Sequence, residues 1–573
     1  MRKALRIISI PVIICMLLSS CTVNLKRNSG AEEDIYEDKY DVIDKGPVKG
    51  GSLRLFSTAV DTLNPVLSNN TFVQDFLSLV FEGLYTLDDR QQPVPVLADS
   101  SSVSADGLTL TLNLKKNISW HDKMPFKADD VVFTINTIKD PKNNSIFQKN
   151  VANIDSVAAS GGNAVVIRLK QPDSFIKYEL TFPIIPVHHF VNEKIEQKNS
   201  KVNLTPIGTG PYRFNSYDPK TGVKLILNEN WWNASGNKKT AVDTGTGESA
   251  ASDNGSTGQA DSGPELPYIP TVEVKILKNV DSANAAFQAR DIDVLPAQYN
   301  EYRKYLGRTD ISLKRYAGRN YEFLTLNLKK GPLADKRVRN ALNYLINKKQ
   351  LVDNAAPGIA VPAEIPVIPN SWVYQLTELD QAVDSNKARE LMTQGGYVFD
   401  TKTNKYVKKT GKKALALKLI VNDDNSLRYN VANEISTQLL KAGITVQVVR
   451  LSWADVQKAI KSGSYDMAIM GYRISSVPDL SFAYSTANIA TGLNVSGYSN
   501  PTVDGYLQQI LANNDTEAQK GIFKNLLNTV LGDRPYIGLF FLNESMMYSR
   551  NIRGEVNPNV WNKYNNIVGW YIP

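Results

Sequence analysis

Cysteine is almost absent from this chain: of 573 residues only Cys15 and Cys21 carry a thiol. Past residue 21 there can be no disulfide, thiolate metal site or cysteine nucleophile. Histidine is nearly as scarce, with only His121, His188 and His189. Neighbouring side chains point apart on a strand and diverge on a helix, so His188 and His189 make a poor metal pair. His121-Asp122 has no G-x-S-x-G elbow or S-x-x-K motif to complete a triad. A G-x-x-x-x-G-K-[ST] phosphate loop and H-E-x-x-H are also missing. No metal, no cofactor and no enzymatic constellation is therefore expected. Past residue 20 no apolar run approaches the ~20 residues that a membrane-spanning helix needs. The formal net charge of +8 is mild for this length. No Lys/Arg run is interleaved with aromatics, so no nucleic-acid reader is indicated.

What is present begins at the N-terminus. Arg2, Lys3 and Arg6 precede an apolar run from Ile8 to Leu18, followed by Leu18-Ser19-Ser20-Cys21. A basic start and a short apolar stretch make a secretory signal. Small residues directly before a cysteine resemble a bacterial lipobox, in which the thiol is acylated and cleavage makes it the new N-terminus. Residues 1–20 are thus expected to be a lipoprotein signal peptide, with Cys21 carrying lipid such as palmitate. Two acyl chains hold a soluble domain stably on a membrane. Residues 21–47, with the polar and acidic Ser29-Gly30-Ala31-Glu32-Glu33-Asp34, read as a flexible tether. The expected location is the extracytoplasmic face of the cell membrane, in the periplasm or at the cell surface.

Order starts near Gly50, and alternating strands and helices predict an α/β fold. Leu108 to Leu114 alternates apolar and polar like a half-buried strand. Ala128 to Ile138 suits a helix with Asp129 and Asp130 in its first turn. Residues 234–265 are rich in Gly, Ser, Thr, Ala and Asp and lack aromatics, so they cannot build a core. They lie between two strand-like segments and read as an insert within a domain, the alternative being an interdomain linker. The clearest unit is 415–470. Strand 415–421, helix 427–441, strand 444–449, helix 453–461 and strand 465–470 form a β-α-β-α-β order, with Gly443 as a helix stop. That order implies a parallel sheet with right-handed crossovers, whose ligands sit beyond the carboxyl ends of the strands.

Many ordered motifs resemble the family 5 extracellular solute-binding proteins, the oligopeptide- and dipeptide-binding subunits of ABC importers. They include Asp61-Thr62-Leu63-Asn64-Pro65, Phe81-Glu82-Gly83-Leu84-Tyr85 and Pro95-Val96-Leu97-Ala98-Asp99. The most specific runs from Ser104-Ala105-Asp106-Gly107 through Trp120-His121-Asp122 to Ala128-Asp129-Asp130-Val131-Val132-Phe133. Lys123 and Lys127 depart from its usual pattern. Ile207-Gly208-Thr209-Gly210-Pro211-Tyr212, Asn230-Trp231-Trp232, Ala289-Arg290-Asp291-Ile292-Asp293-Val294, and Leu326-Asn327 with Pro332 through Leu342 continue it to the C-terminal half. The resemblance covers about residues 50–570.

It implies a two-lobed periplasmic-binding-protein-like fold, type II and cluster C-like, with a hinge. One discontinuous lobe would comprise 48–315 and 537–573, the other 316–536, with crossings near Arg315-Tyr316 and Pro535-Tyr536. Closure on a peptide or other small ligand would present a form that permease subunits recognise. A sensory receptor for a peptide signal would use the same fold, and a monomer is expected. Peptide-binding relatives place an Asp against the free α-amino group of the peptide. Here Tyr472 takes the preceding aromatic position and Ser475 takes that of the Asp, so either Asp479 substitutes or the ligand lacks a free amine. The cleft is expected to draw on Trp453, Tyr472, Arg473, Ser475 and Asp479. Asn422 and Asp423 should lie nearby at a strand end, with Asn70, Thr71 and Phe72 from the other lobe. Core packing is the alternative role for Trp453 and Tyr472.

If Cys21 carries the lipid, Cys21→Ala releases or mislocalises the protein and Cys15→Ala does not. Metabolic labelling with a fatty-acid analogue checks this; equal labelling of the Cys21→Ala protein would rule it out.

Overall fold

The computed structural model describes residues 46–234, 267–297, 303–305, 307–376 and 383–573. The leader, Cys21, all but the end of the tether and nearly all of the 234–265 stretch fall outside these residues. Among the described residues no helix is long and apolar enough to cross a membrane.

The first lobe holds two four-stranded sheets. In one, Ser52–Ser57 pairs in parallel with Thr271–Ile276, which is followed by Gly222–Leu227 and Tyr212–Asp218, each antiparallel to its neighbour. The strands on either side of the Gly/Ser-rich stretch are thus direct neighbours, with Val272 opposite Leu225. The other sheet orders Ala98–Val103, Thr109–Leu114, Ala164–Leu169 and Ile154–Ser160, all antiparallel. In Thr109–Leu114 the leucines are buried and Asn113 is exposed, the period of two that a one-sided sheet requires.

Helix Ala128–Lys139 packs on that sheet, and Asp130 is the third residue of its first turn. Its Oδ2 accepts from the Lys127 N–H at 2.9 Å and from Trp120 Nε1 at 3.1 Å, while Oδ1 accepts from the Val187 N–H at 2.9 Å. One buried carboxylate therefore caps a helix and ties down two other segments. Gly208 is needed for close approach: a Cβ there would lie 1.8 Å from the Val80 carbonyl oxygen.

The second lobe contains the expected β-α-β-α-β unit as Ala416–Asn422, Ser426–Lys441, Thr445–Leu451, Trp453–Ser462 and Met467–Arg473. The first strand is central and parallel to both others. Asn425 caps the long helix by accepting from the Arg428 N–H. Val431, Ala432, Ile435 and Leu439 are buried at helical spacing.

Two long antiparallel strands, Ile311–Leu326 and Tyr536–Ser549, run from one lobe to the other. Leu324, Leu326, Ile537, Leu539 and Phe540 pack in the second lobe's core. Met546 and Tyr548 pack in the first lobe's. The packing thus changes within the strands, where the ladder slips between Ala317 and Tyr321. On the return strand Leu542 still packs against the second lobe's core, and Met546 is buried in the first lobe's. Pro535 marks where that strand begins; the lobes exchange in its middle.

Glu364 pins both strands. Its carboxylate pairs with Lys348 and accepts from Arg534 Nη1 at 2.9 Å, and Lys348 and Glu364 are each only 1% exposed. Its carbonyl accepts from the Tyr321 hydroxyl at 3.1 Å on the outgoing strand. On the return strand a Cβ at Gly538 would stand 2.4 Å from the same carbonyl.

The lobes also meet at segment 173–179. The Ser174 N–H donates to the Leu511 carbonyl at 3.0 Å, Gln519 Nε2 to Ser174 Oγ at 2.7 Å, and Trp372 Nε1 to the Tyr178 hydroxyl at 2.8 Å. Next to these, burial pushes the Glu179 carboxyl up to about 8, helped by Asp173 and by Asp479 of the opposite lobe.

Two predictions follow from this packing. Glu364→Ala leaves two cations without their carboxylate and should lower stability by about 3–5 kcal/mol in urea unfolding. Glu390→Ala, which opens an exposed pair with Lys387, should change nothing measurable. For Glu179 the folded state holds a proton that the unfolded chain releases near its ordinary pKa of 4.5. Its contribution is therefore intact below about pH 4.5 and is lost as pH rises towards 8. Glu179→Gln, which mimics the protonated form, should melt increasingly above wild type between pH 6 and 9. Parallel melting curves across that range would exclude the effect.

Candidate functional site

The crossing strands open into a cleft shared by both lobes. A cavity of about 260 Å³ is lined by Asp88, Gln91 and Trp561 of the first lobe, Tyr316 and Ala317 of the crossing strand, and Ile368 and Asn370 of the second. Trp561 also borders a cavity of about 430 Å³ that reaches Glu82, Trp231 and Tyr564. Gln91 and Ile368 also border a small pocket formed by 474–480. The three spaces thus share walls, and together they fall in the volume range of a small-molecule or peptide site.

The sequence candidates occupy different positions around this cleft. Ser475 and Asp479 line the small pocket opposite Gln91. Ser475 Oγ accepts from the Val477 N–H at 3.2 Å, and Asp479 Oδ1 from the Ser481 N–H at 2.9 Å. Arg473 ends its strand in an exposed position, opposite Asn320 of the crossing strand. Tyr472 packs in an aromatic group: its ring stacks on Phe323 at 4.6 Å and meets Phe482 edge-on at 4.9 Å. Its hydroxyl donates to the Leu493 carbonyl at 2.7 Å, and burial pushes its pKa up. It lines none of the three spaces.

Trp453 opens its helix and remains 39% exposed, with the Arg428 guanidinium 5.9 Å from its ring. Asn422 is buried and its Oδ1 accepts from Arg428 Nη1 at 3.3 Å, while the adjacent Asp423 is exposed at the strand end. Asn70, Thr71 and Phe72 open the helix Thr71–Leu77. Asn70 Oδ1 caps the Phe72 N–H, its Nδ2 donates to Thr58 Oγ1 at 2.9 Å, and Phe72 packs on Phe56 at 4.9 Å. These three do not line the spaces described above.

Four residues, Arg428, Glu322, Arg319 and Trp561, were not singled out from the sequence. Arg428 donates through Nε and Nη2 to both oxygens of buried Glu322, at 2.8 and 3.0 Å, and joins Asn422 to Trp453 at the strand ends. Burial raises the Glu322 pKa, and the Arg428 hydrogen bonds and charge oppose that rise. Arg319 donates through Nε to the Ile474 carbonyl at 2.7 Å and lies 4.8 Å over the Trp561 ring. Trp561 walls two of the three spaces. These pairings join residues about 106 to 240 positions apart, and no local pattern announces them. For Arg319, its place just past the expected crossing at 315–316 was the one available signal.

Glu82, within the Phe81-Glu82-Gly83-Leu84-Tyr85 motif, receives Trp231 Nε1 at 3.2 Å, Trp232 Nε1 at 2.8 Å and Thr209 Oγ1 at 2.8 Å. It gathers three motif segments at one cavity wall. The histidines are held by their surroundings. His121 Nδ1 accepts from the Gly208 N–H and Nε2 donates to the Gly210 carbonyl, while burial pulls its pKa down to about 4.

Comparison with known proteins places this geometry. Residues 92–492 match the model of the bacterial extracellular solute-binding proteins, family 5. The oligopeptide-binding protein AppA of Bacillus subtilis (strain 168) is 24% identical over 567 residues, covering 96% of each chain. Its solved structure, in complex with a nonapeptide, superposes with a TM-score of 0.55 over 92% of this chain and 100% of that one, at 23% identity. The glutathione-binding protein GsiB of Escherichia coli (strain K12) is 26% identical over 503 residues, covering 86% of this chain and 89% of its own. The ABC transporter substrate-binding protein CtaP of Listeria monocytogenes has a TM-score of 0.66 at 23% identity, covering 91% of this chain and 99% of that one. With a family match across most of its length and a two-lobed α/β fold around a shared cleft, this chain belongs to the bacterial extracellular solute-binding proteins of family 5.

Proposed function

We propose that the protein is a lipid-anchored receptor of an ABC importer that captures peptides between its lobes and delivers them to a permease. The observation that carries this reading is the cleft at the strand crossing, walled from both lobes and from the crossing strand itself. A ligand seated there touches both sides of the hinge, so its binding favours the closed arrangement. The relatives AppA and GsiB, named for oligopeptide and glutathione binding, support a peptide as the ligand class. Cys21 supplies the anchor and the acidic segment after it the reach. Binding without turnover is the role assigned to the cleft.

A ligand without a free amine is the second reading. It is favoured by the uncharged Ser475 where peptide-binding relatives carry Asp. Under the peptide reading, Ser475→Asp should tighten binding of a peptide with a free amine and Asp479→Asn should weaken it, each by about 1–3 kcal/mol.

Native mass spectrometry of gently purified protein tests the ligand class. Retained masses should resolve into peptides on fragmentation and disappear after unfolding and refolding. Calorimetry with a peptide and its N-acetylated form then tests the amine. A retained ligand with no peptide bond would remove the peptide assignment. Equal binding of the two forms, with neither mutation having an effect, would remove amine recognition.

A further inference from the structure

The cavity of about 430 Å³ beside the strand crossing is built entirely by the first lobe, from segments 65–96, 181–183, 211–233 and 561–568. Among the described residues Glu82 is the only charged side chain that lines it. Phe81, Tyr85, Trp231, Trp561 and Tyr564 supply aromatic walls. The cations nearby line no part of the cavity. Lys115 Nζ sits 4.6 Å from the centre of the Trp232 ring, Arg319 lies against Trp561, and Lys563 pairs with Asp75 at 2.7 Å.

Joining three motif segments does not use the whole of the Glu82 carboxylate. Its Oε2 accepts two short hydrogen bonds, from Trp232 Nε1 and Thr209 Oγ1, both at 2.8 Å. Among the described residues its Oε1 accepts one, from Trp231 Nε1 at 3.2 Å. A carboxylate offers about four lone-pair sites, so one remains, at Oε1. The donor on Oε1 lines the cavity and the two donors on Oε2 do not, so the open site belongs to the cavity side. Burial pushes the carboxyl up to about 7, against the hydrogen bonds from Trp232, Thr209 and Trp231 and the charge of Lys115. A cation beside it would offset that desolvation, and aromatic faces attract cations as well. In the same cavity Trp561 Nε1 is a buried group with no hydrogen-bond partner. Indole N–H is a donor only, so its partner must be an acceptor such as a peptide carbonyl. One wall thus suits a positive charge and another a carbonyl, and a peptide with a basic group carries both.

We propose that Glu82 and the aromatic walls form a subsite of the ligand space for a cationic nitrogen, the free α-amine of a peptide or a basic side chain. The subsite rests on the peptide reading of the cleft given above. The first lobe then supplies the carboxylate that position 475 lacks. Because every wall belongs to one lobe, the subsite is complete before the lobes close, and the charged group of the ligand can dock first.

The test uses the full chain in two arms. In the first, native mass spectrometry measures competition among four pools of pentapeptides, each with a central lysine and otherwise uncharged residues. One pool is free, one Nα-acetylated, one acetylated on the lysine Nε, and one acetylated at both. Wild type should prefer the free pool to the doubly acetylated one by about tenfold or more, and the singly acetylated pools show which nitrogen is bound. Glu82→Gln should lose that preference. Thr86 is exposed and lines the cavity, so Thr86→Lys leaves Glu82 and its three donors intact. It should weaken binding of the free pool and leave the doubly acetylated pool unchanged. In the second arm the melting temperature is followed against n-butylammonium chloride and sodium chloride at equal ionic strength. Butylammonium should stabilise wild type beyond sodium, and should not stabilise Glu82→Gln or Thr86→Lys.

If the four pools bind wild type equally, the subsite falls and the peptide reading stands. If no pool binds but butylammonium stabilises wild type and neither variant, the subsite stands and the peptide reading falls. A preference for the free pool that survives in the variants, or no binding in either arm, overturns the subsite. Should Glu82→Gln fail to fold, Thr86→Lys alone decides.

Discussion

Glu364 holds two cations with its carboxylate and touches both crossing strands through its backbone. Lys348 and Arg534 neutralise it, Tyr321 donates to its carbonyl, and Gly538 lies against the same oxygen. A charge buried this deeply is tolerated only with its partners in place. The network therefore holds the second-lobe halves of Ile311–Leu326 and Tyr536–Ser549 in one arrangement. Arg534 takes part while adopting a left-handed backbone, φ 50°, at the end of helix Thr516–Asp533. One ion cluster thus fixes where that helix stops and where the return strand starts.

The consequence appears in the same strands. Their ladder slips between Ala317 and Tyr321, where the packing passes from one core to the other, and again between Glu322 and Phe323, beside the contacts of Glu364 with Tyr321 and Gly538. A slipped ladder bends a strand and interrupts its hydrogen bonds, so flexion concentrates beside the cavity that Tyr316 and Ala317 help to line. The Ala317–Tyr321 irregularity and the cavity therefore lie side by side. Ser174, Tyr178 and Trp372 bridge the lobes at a separate point. Phe175 packs on Phe523 beside these hydrogen bonds, so the contact between the lobes there is apolar as well as polar.

Much of this was legible in the residues. The 415–470 unit has apolar strands, capped helices and short turns, so local periodicity alone predicts its elements. Motifs such as Trp120…Asp130 and Gly208-Thr209-Gly210 owe their residue types to caps and close backbone approaches, which are local constraints with sequence signatures. The site was legible only in part. Ser475 and Asp479 could be placed only through the family resemblance, with Trp453 setting the register, whereas Asn422 and Asp423 follow from the strand-end rule. Tyr472 occupies the neighbouring position, yet its ring turns into a cluster with Phe323, Phe482 and Tyr536. Strand alternation settles that choice, and it depends on which face the distant crossing strand covers. Arg428 with Glu322, and Arg319 with Trp561, are long-range pairs whose partners no periodicity connects. The crossings near 315–316 and 535–536 came only from the family resemblance, because a strand that changes cores partway along carries no local mark of it.

The same pairing explains why the polarity of the cleft cannot be inferred from one aligned position. Substituting Ser for Asp at position 475 removes a negative charge, which by itself only weakens attraction for an ammonium group. The crossing strand brings Arg319 alongside the segment that follows Arg473, and Asp173, Asp479 and Glu544 bring negative charge to the same region. Arg319 stacks on Trp561 and is held by the Ile474 carbonyl, so its charge is fixed in place. A fixed cation in a partly desolvated cleft acts more strongly on a ligand than a mobile one in water. The chemistry of position 475 is therefore set by three segments: the strand ending at 473, the crossing strand at 319, and the C-terminal loop that presents Trp561.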